Sequence, residues 1–131
     1  MTITSNLTGA GIAASAAAQI AGPVSTAAAG AGTSNTDAAL LPLADTHYIT
    51  TAANNSGVIL PPGNGTGAGM QVGDSMFIYN DSANTLLLYA PPLGQLNGQT
   101  VTSGSVSIPT KTSVMVKMLS STKYAVSGPT T

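Results

Sequence analysis

The side chains in this sequence that could move a proton or hold a metal ion are few. They are a single histidine, His47, four aspartates (Asp37, Asp45, Asp74 and Asp81) and the lysines Lys111, Lys117 and Lys123; Cys, Glu and Arg are absent. A Ser-His-Asp set would require His47 to meet one of the aspartates and one of many serines, and nothing in their spacing selects a trio. His47 sits in a strand-like run in which Thr46 and Tyr48 face the opposite way. It therefore reads as an ordinary surface or interface histidine. Zinc needs three or four ligands from Cys, His or carboxylate, and one His with separated Asp residues does not suggest a site. Asp74 and Asp81 with backbone carbonyls could offer oxygen to calcium, but not at EF-hand spacing. Glycoside hydrolysis would have to use two aspartates. Asp74 and Asp81 instead flank a strand and suit turns, where a carboxylate bonds a nearby backbone N–H. The run Gly63-Asn64-Gly65-Thr66-Gly67-Ala68-Gly69 is glycine-rich but lacks the Gly-Lys-Ser/Thr ending of a phosphate loop, and no helix pattern follows it. The expectation is a protein without catalytic residues, cofactor or metal.

The scarcity of charge is itself informative. Charged residues make up 5% of the 131 residues, against about a quarter in ordinary soluble domains. Such a surface is a solubility risk for a free monomer and fits one covered by neighbours. Without Arg, and with scattered Lys, no basic patch forms, so nucleic acid is not an expected partner. No run of about 18 apolar residues could span a membrane. The Ala-rich stretch Gly11–Ile20 is not preceded by Lys or Arg, so it lacks the charged start of a signal peptide. Asn-x-Ser/Thr matches at Asn6, Asn54, Asn64 and Asn80 are then chance matches in a Ser/Thr-rich chain. The absence of cysteine rules out a disulfide framework.

The elements that would position these residues divide near residue 35. Residues 1–35 are mostly Ala, Gly, Ser and Thr, with Ile3, Leu7, Ile12, Ile20 and Val24 as the larger aliphatics. Ala13–Ala21 could form about two helical turns, too short to persist alone, and Gly22-Pro23 would stop them. This segment reads as an N-terminal arm, extended or partly helical, that is ordered where it docks. Residues 36–131 read as a β domain. Strand-forming runs appear at His47–Thr51, Val58–Leu60, Ser75–Tyr79, Thr85–Leu88 with Tyr89, Val101–Ile108, Ser113–Met118 and Lys123–Val126. Turn-formers punctuate them at spacings of about 8–12 residues, the mark of an all-β sandwich or barrel. We expect about six or seven short strands, antiparallel, with Ser75–Tyr79 and Thr85–Tyr89 joined as a hairpin across Asn80–Asn84. The expected core is Ile49, Val58, Leu60, Met76, Ile78, Leu86, Leu88, Val106, Ile108, Val114, Val116 and Val126. Met70, Met76, Met115 and Met118 read as gap-filling core or interface residues. No internal repeat of 20–50 residues is evident.

One stretch resembles a pattern found in small virion proteins of tailed bacteriophages. It runs Gly73-Asp74-Ser75-Met76-Phe77-Ile78-Tyr79-Asn80-Asp81-Ser82-Ala83-Asn84-Thr85-Leu86-Leu87-Leu88-Tyr89-Ala90-Pro91-Pro92, then Gly94-Gln95-Leu96-Asn97-Gly98. Val106-Ser107-Ile108-Pro109 and Ser113–Met118 match the continuation, and Gly57-Val58-Ile59-Leu60-Pro61-Pro62 is similar upstream. The resemblance covers roughly residues 36–127 and reports a fold more than a function. It implies a phage particle component of the capsid decoration (cement) or small tail and fibre β-domain type, with no catalytic residues to carry over.

The leading expectation is therefore a decoration protein, a homotrimer on the capsid exterior, stabilising the head by binding across major capsid protein subunits. Composition, not the resemblance, assigns the arm the capsid contact, with Ile3, Leu7, Ile12, Ile20 and Val24 as apolar anchors. Tyr48, Tyr79 and Tyr89 are expected at the oligomer interface, and Phe77 there or in the core. The alternative is a tail-fibre or receptor-binding module that recognises host surface glycan through loops such as Asn80–Asn84. A hydrolase acting on the host envelope is a third possibility.

Overall fold

The computed structural model describes residues 24–32, 34–61 and 70–129. Among them the chain forms ten strands: β1 (Val24–Gly30), β2 (Ala39–Leu40), β3 (Thr46–Ala52), β4 (Gly57–Ile59), β5 (Ser75–Asn80), β6 (Leu86–Tyr89), β7 (Gln95–Leu96), β8 (Ser105–Ile108), β9 (Thr112–Met118) and β10 (Lys123–Ser127). No helix occurs among the described residues. The described residues are all-β, built into a six-stranded sheet in the order β1-β3-β5-β9-β10-β7 and a four-stranded sheet in the order β2-β4-β6-β8.

Every run read from the sequence as a strand contains one. The short β2 and β7 went unread, and β1 lies within the segment assigned to the arm, where it pairs with β3 as the edge strand among the described residues. Val24 is its first residue. The other proposed anchors, Ile3, Leu7, Ile12 and Ile20, lie outside the described residues, as do Asn64 to Gly69 of the glycine-rich loop.

The strand directions correct the antiparallel expectation: both sheets are mixed. From β1 to β6 the chain alternates between the sheets. After two crossings it returns in the direction in which it left, so β1, β3 and β5 lie parallel, and β2, β4 and β6 likewise. Antiparallel pairing enters with β5–β9, β6–β8 and β9–β10. The hairpin expected at residues 75–89 is corrected for the same reason. β5 belongs to the larger sheet and β6 to the smaller, so Asn80–Asn84 carries the chain between sheets and does not join two neighbours.

Parallel stacking also exposes a repeat that the sequence reading does not find. In the smaller sheet Ala39 aligns with Val58 and Val58 with Leu88, while Leu40, Ile59 and Tyr89 form the next row. Bonds from Leu41 N to the Ile59 carbonyl and from Leu60 N to the Tyr89 carbonyl continue the ladder. Each of the three segments then reaches proline, at Pro42, Pro61 and Pro91. Lacking an N–H donor, proline ends the ladder.

Period-two alternation does the rest. All the expected core residues are buried, and one cluster takes them from both sheets together with Leu41, Met70, Leu96, Met118 and Tyr124. Burial of these side chains is the main favourable term in folding.

Candidate functional site

Two surfaces and one buried ring are the places where function could reside. On the outward face of the larger sheet, Tyr48 of β3 aligns with Tyr79 of β5. Their rings stack with centroids 5.9 Å apart and planes 10° apart, the offset arrangement aromatic pairs favour. Beside them Phe77 of β5 faces Met115 of β9, and Met115 is exposed.

At the end of this row the Tyr48 hydroxyl donates to Asp81 Oδ2 at 2.5 Å, and Lys111 Nζ donates to Asp81 Oδ1 at 2.7 Å and to the Asp81 carbonyl at 2.6 Å. The Asp81 carboxylate is held below its usual range by the lysine first and the tyrosine second. The same hydrogen bonds push the Lys111 ammonium and the Tyr48 hydroxyl upward. The lysine side chain is 61% exposed, so solvent screens the pair and its main effect is to fix geometry. Asp81 was expected to serve a backbone N–H; its carboxylate instead ties β3, the β5–β6 connection and the β8–β9 connection together.

Beneath that cluster lies Asn80, fully buried at the corner where the chain changes sheets. Its Nδ2 donates to the carbonyls of Asn84 (2.8 Å), Ile108 (2.9 Å) and Pro109 (3.3 Å). Its Oδ1 accepts from Ser82 N at 3.1 Å and Ser82 Oγ at 2.7 Å. The Thr110 hydroxyl donates to the Ser82 carbonyl. Two inter-sheet connections are thus clasped against each other. Asn80–Asn84 is framework at its buried end, and only the Asp81 side faces solvent.

The smaller sheet differs in chemistry. None of β2, β4, β6 and β8 carries a charged residue. All seven charged residues lie on the strands of the larger sheet or in connections. Leu40 on the outward row is 64% exposed and Leu43, just past Pro42, is 47% exposed. Tyr89, placed by sequence with the other interface tyrosines, belongs to this sheet and is buried. Its ring leans over Gly57, where a Cβ would come within 2.6 Å of Tyr89 Cε2. Burial first and the Asp37 charge second push its hydroxyl pKa up. The structure therefore separates Tyr89 from the Tyr48–Tyr79 pair, and as a buried ring it offers a neighbouring molecule almost no surface.

His47 corrects the expectation of a surface histidine: it is fully buried on the inward face of β3. Inward positions alternate along a strand, so His47 shares its side with Ile49. Neither ring nitrogen has a hydrogen-bond partner. Burial lowers its pKa below 6.5, and the nearby Pro42 carbonyl opposes the shift without reaching hydrogen-bond geometry. A ring sealed in this way has no route to a substrate.

The aspartates do not converge. Asp74 and Asp81 flank β5 at opposite ends, on the order of 20 Å apart at about 3.3 Å per residue, well beyond the separation two glycosidase carboxylates need. Asp74 serves its turn as expected, accepting from Gln71 N at 2.8 Å, and Asp37 accepts from Ser34 N at 2.8 Å. An open cleft of about 280 Å³ beside β7 and β10 is lined by Gln95, Asn97, Leu119 and Lys123 among others. Its amides are occupied within the fold: Gln95 Nε2 donates to the Gln99 carbonyl, and Asn97 bonds both backbone groups of Val126.

Compared with known proteins, the chain matches no family model, no curated protein and no solved structure. The resemblance to small phage virion proteins rests on its strand and turn residues alone.

Proposed function

We propose that this chain is a non-enzymatic structural protein of a phage particle, a decoration protein that adds buried area across seams between major capsid protein subunits. In this reading the two mixed sheets form a small sandwich, the segment before Val24 is the arm, and a homotrimer stands on the outside of the head. The observation that carries the reading is the segregation of charge. The smaller sheet presents exposed leucine without one charged side chain, while every charge lies on the larger sheet or in connections. Strands without charge can be covered with little ion desolvation, Asp37 beside β2 being the nearest charge, and the charged residues elsewhere keep the coated particle soluble. Binding to assembled shell but not to dissociated subunits stabilises the shell by mass action.

The test is to add the purified chain to undecorated heads and count bound copies by densitometry. Hundreds of copies per head, lost on deleting residues 2–22 and on Leu40→Lys, are expected. Absence of head binding, or a copy number as low as that of a fibre, overturns the reading. A receptor-binding module is the second reading, favoured by the exposed Tyr48, Asp81 and Lys111 cluster, whose aromatic and hydrogen-bonding groups suit a sugar. It expects binding on a glycan array that is lost in Tyr48→Ala and Asp81→Ala.

A further inference from the structure

We propose that His47 makes the β1 edge acid-labile: the buried ring gains a proton by way of detachment of β1 from β3, so acidification frees Val24–Gly30 while the rest of both sheets stays folded. The inference stands on the placement of His47 and does not depend on the phage reading. His47 is the only histidine in the chain and is fully buried. Both ring nitrogens lack a partner, so a proton on the ring would put an unpaired charge in the core. Such a charge is costly wherever water and a counter-ion are out of reach.

The surroundings supply neither. On β5 the register position beside His47 is Ile78, and on β1 it is Ser25. Across the loop between β2 and β3 stands the Pro42 carbonyl. No charged side chain acts on the ring; Asp45, two residues earlier, is exposed.

Of the two walls beside His47, the β1 side is the one that can open. Among the described residues β1 is the edge of the sheet, with β3 as its one neighbour in the strand order, and only past its end does Ala31 bridge to Gly57 of β4. Its register with β3 breaks twice, between Ser25 and Ala28 and between Ala28 and Ala29. β5 on the other side is locked through six aligned pairs to β9. Local opening takes the least-held element first, and removing β1 brings water to the flank of the ring. Acid then favours the open form, because that form takes up a proton near pH 6.5 and the closed form does not.

Amide hydrogen exchange on the full chain between pH 7.5 and 5.0, corrected for the intrinsic rate, tests this. The opening constant of β1 amides is expected to rise as the pH falls below about 6.5, by at most about tenfold per pH unit for one proton, while β5 and β9 amides keep their protection. In His47→Leu the rise should vanish. Unchanged β1 protection across the range overturns the proposal, as does simultaneous loss in all strands, or acid release that persists in His47→Leu. Should that variant fail to fold, the imidazole signal of the wild-type protein decides. A ring that titrates near its ordinary value while β1 amides remain protected refutes the proposal; a ring that stays neutral until β1 opens supports it.

Discussion

Replacing Asn80 by alanine should be among the most damaging single changes in the described chain, although it removes no hydrophobic contact of note. The side chain makes three donor and two acceptor contacts, all from a fully buried position. Truncation strands the Ser82 N–H, in a residue buried at 3% exposure, and takes one bond each from the Asn84, Ile108 and Pro109 carbonyls. Each buried group left without a partner costs about 1–3 kcal/mol, so Asn80→Ala should lose about 3–5 kcal/mol. That is a large part of the roughly 5–15 kcal/mol of a whole domain. With a urea dependence of about 1–2 kcal/mol/M for a protein of this size, the unfolding midpoint should fall by about 1.5–5 M, to the point of unfolding if the parent is marginal. Ser82→Ala, which loses the hydroxyl bonds to Asn80 Oδ1 and to the Asn84 carbonyl, should cost about 1 kcal/mol. The two changes should be less than additive, since they share a bond. Asn80→Asp should be at least as harmful as Asn80→Ala, because it turns an oxygen toward three carbonyls. An Asn80→Ala unfolding free energy within about 1 kcal/mol of the parent's would refute the view that this amide holds the sheet-to-sheet corner.

Other outcomes follow from single positions. Gly57→Ala should destabilise by about 1–3 kcal/mol through overpacking, because the new Cβ would lie 2.6 Å from the Tyr89 ring and 3.2 Å from the Ala38 Cβ; thermal melting of Gly57→Ala with and without Tyr89→Leu should show part of the loss recovered. Leu88→Ala, at a fully buried position, should cost about 2–5 kcal/mol by chemical denaturation, whereas Leu40→Lys on the exposed row should change stability by less than about 0.5 kcal/mol. Since burial lowers the folded-state pKa of His47, the unfolded chain binds the proton first as pH falls. Global stability should therefore drop as the pH falls from 7.5 to 5.5, by no more than about 1.4 kcal/mol per pH unit for a single proton, and urea titrations of His47→Leu should show that slope abolished. Asp81 works in the lower range: its carboxyl is held below the usual value, so its contribution is present above pH 4 and fades with further acidification. Asp81→Asn should flatten that acid limb.

Much of the strand inventory was legible because burial on one face imposes alternation. In β9, Val114, Val116 and Met118 are buried while Met115 and Lys117 are exposed, and the sequence alternates to match. The partners of a strand leave no such mark. Ser75–Tyr79 and Thr85–Tyr89 look like a hairpin because a five-residue connection suits one; what separates them is the demand of Asn80 for carbonyls from Ile108 and Pro109, nearly thirty residues away. The repeat ending in Pro42, Pro61 and Pro91 was hidden because its rows are unevenly spaced: Ala39 to Val58 is 19 residues and Val58 to Leu88 is 30. His47 misled for a different reason. Alternation puts it on the side of Ile49, an expected core residue, so its inward position was legible; the polarity of the imidazole pointed to the surface instead.

Residue types and their alternation therefore determined that the chain is poor in charge, without thiols and β-forming beyond residue 36. These are properties of residue type and local period, and they survive any arrangement of the strands. Tertiary structure decided which strands lie parallel, that Tyr48 and Tyr79 stack while Tyr89 is buried elsewhere, that charge is absent from one sheet, and that the lone imidazole is sealed in the core. Each depends on contacts between residues far apart in the chain, whose free energies exist only after the backbone has brought them together.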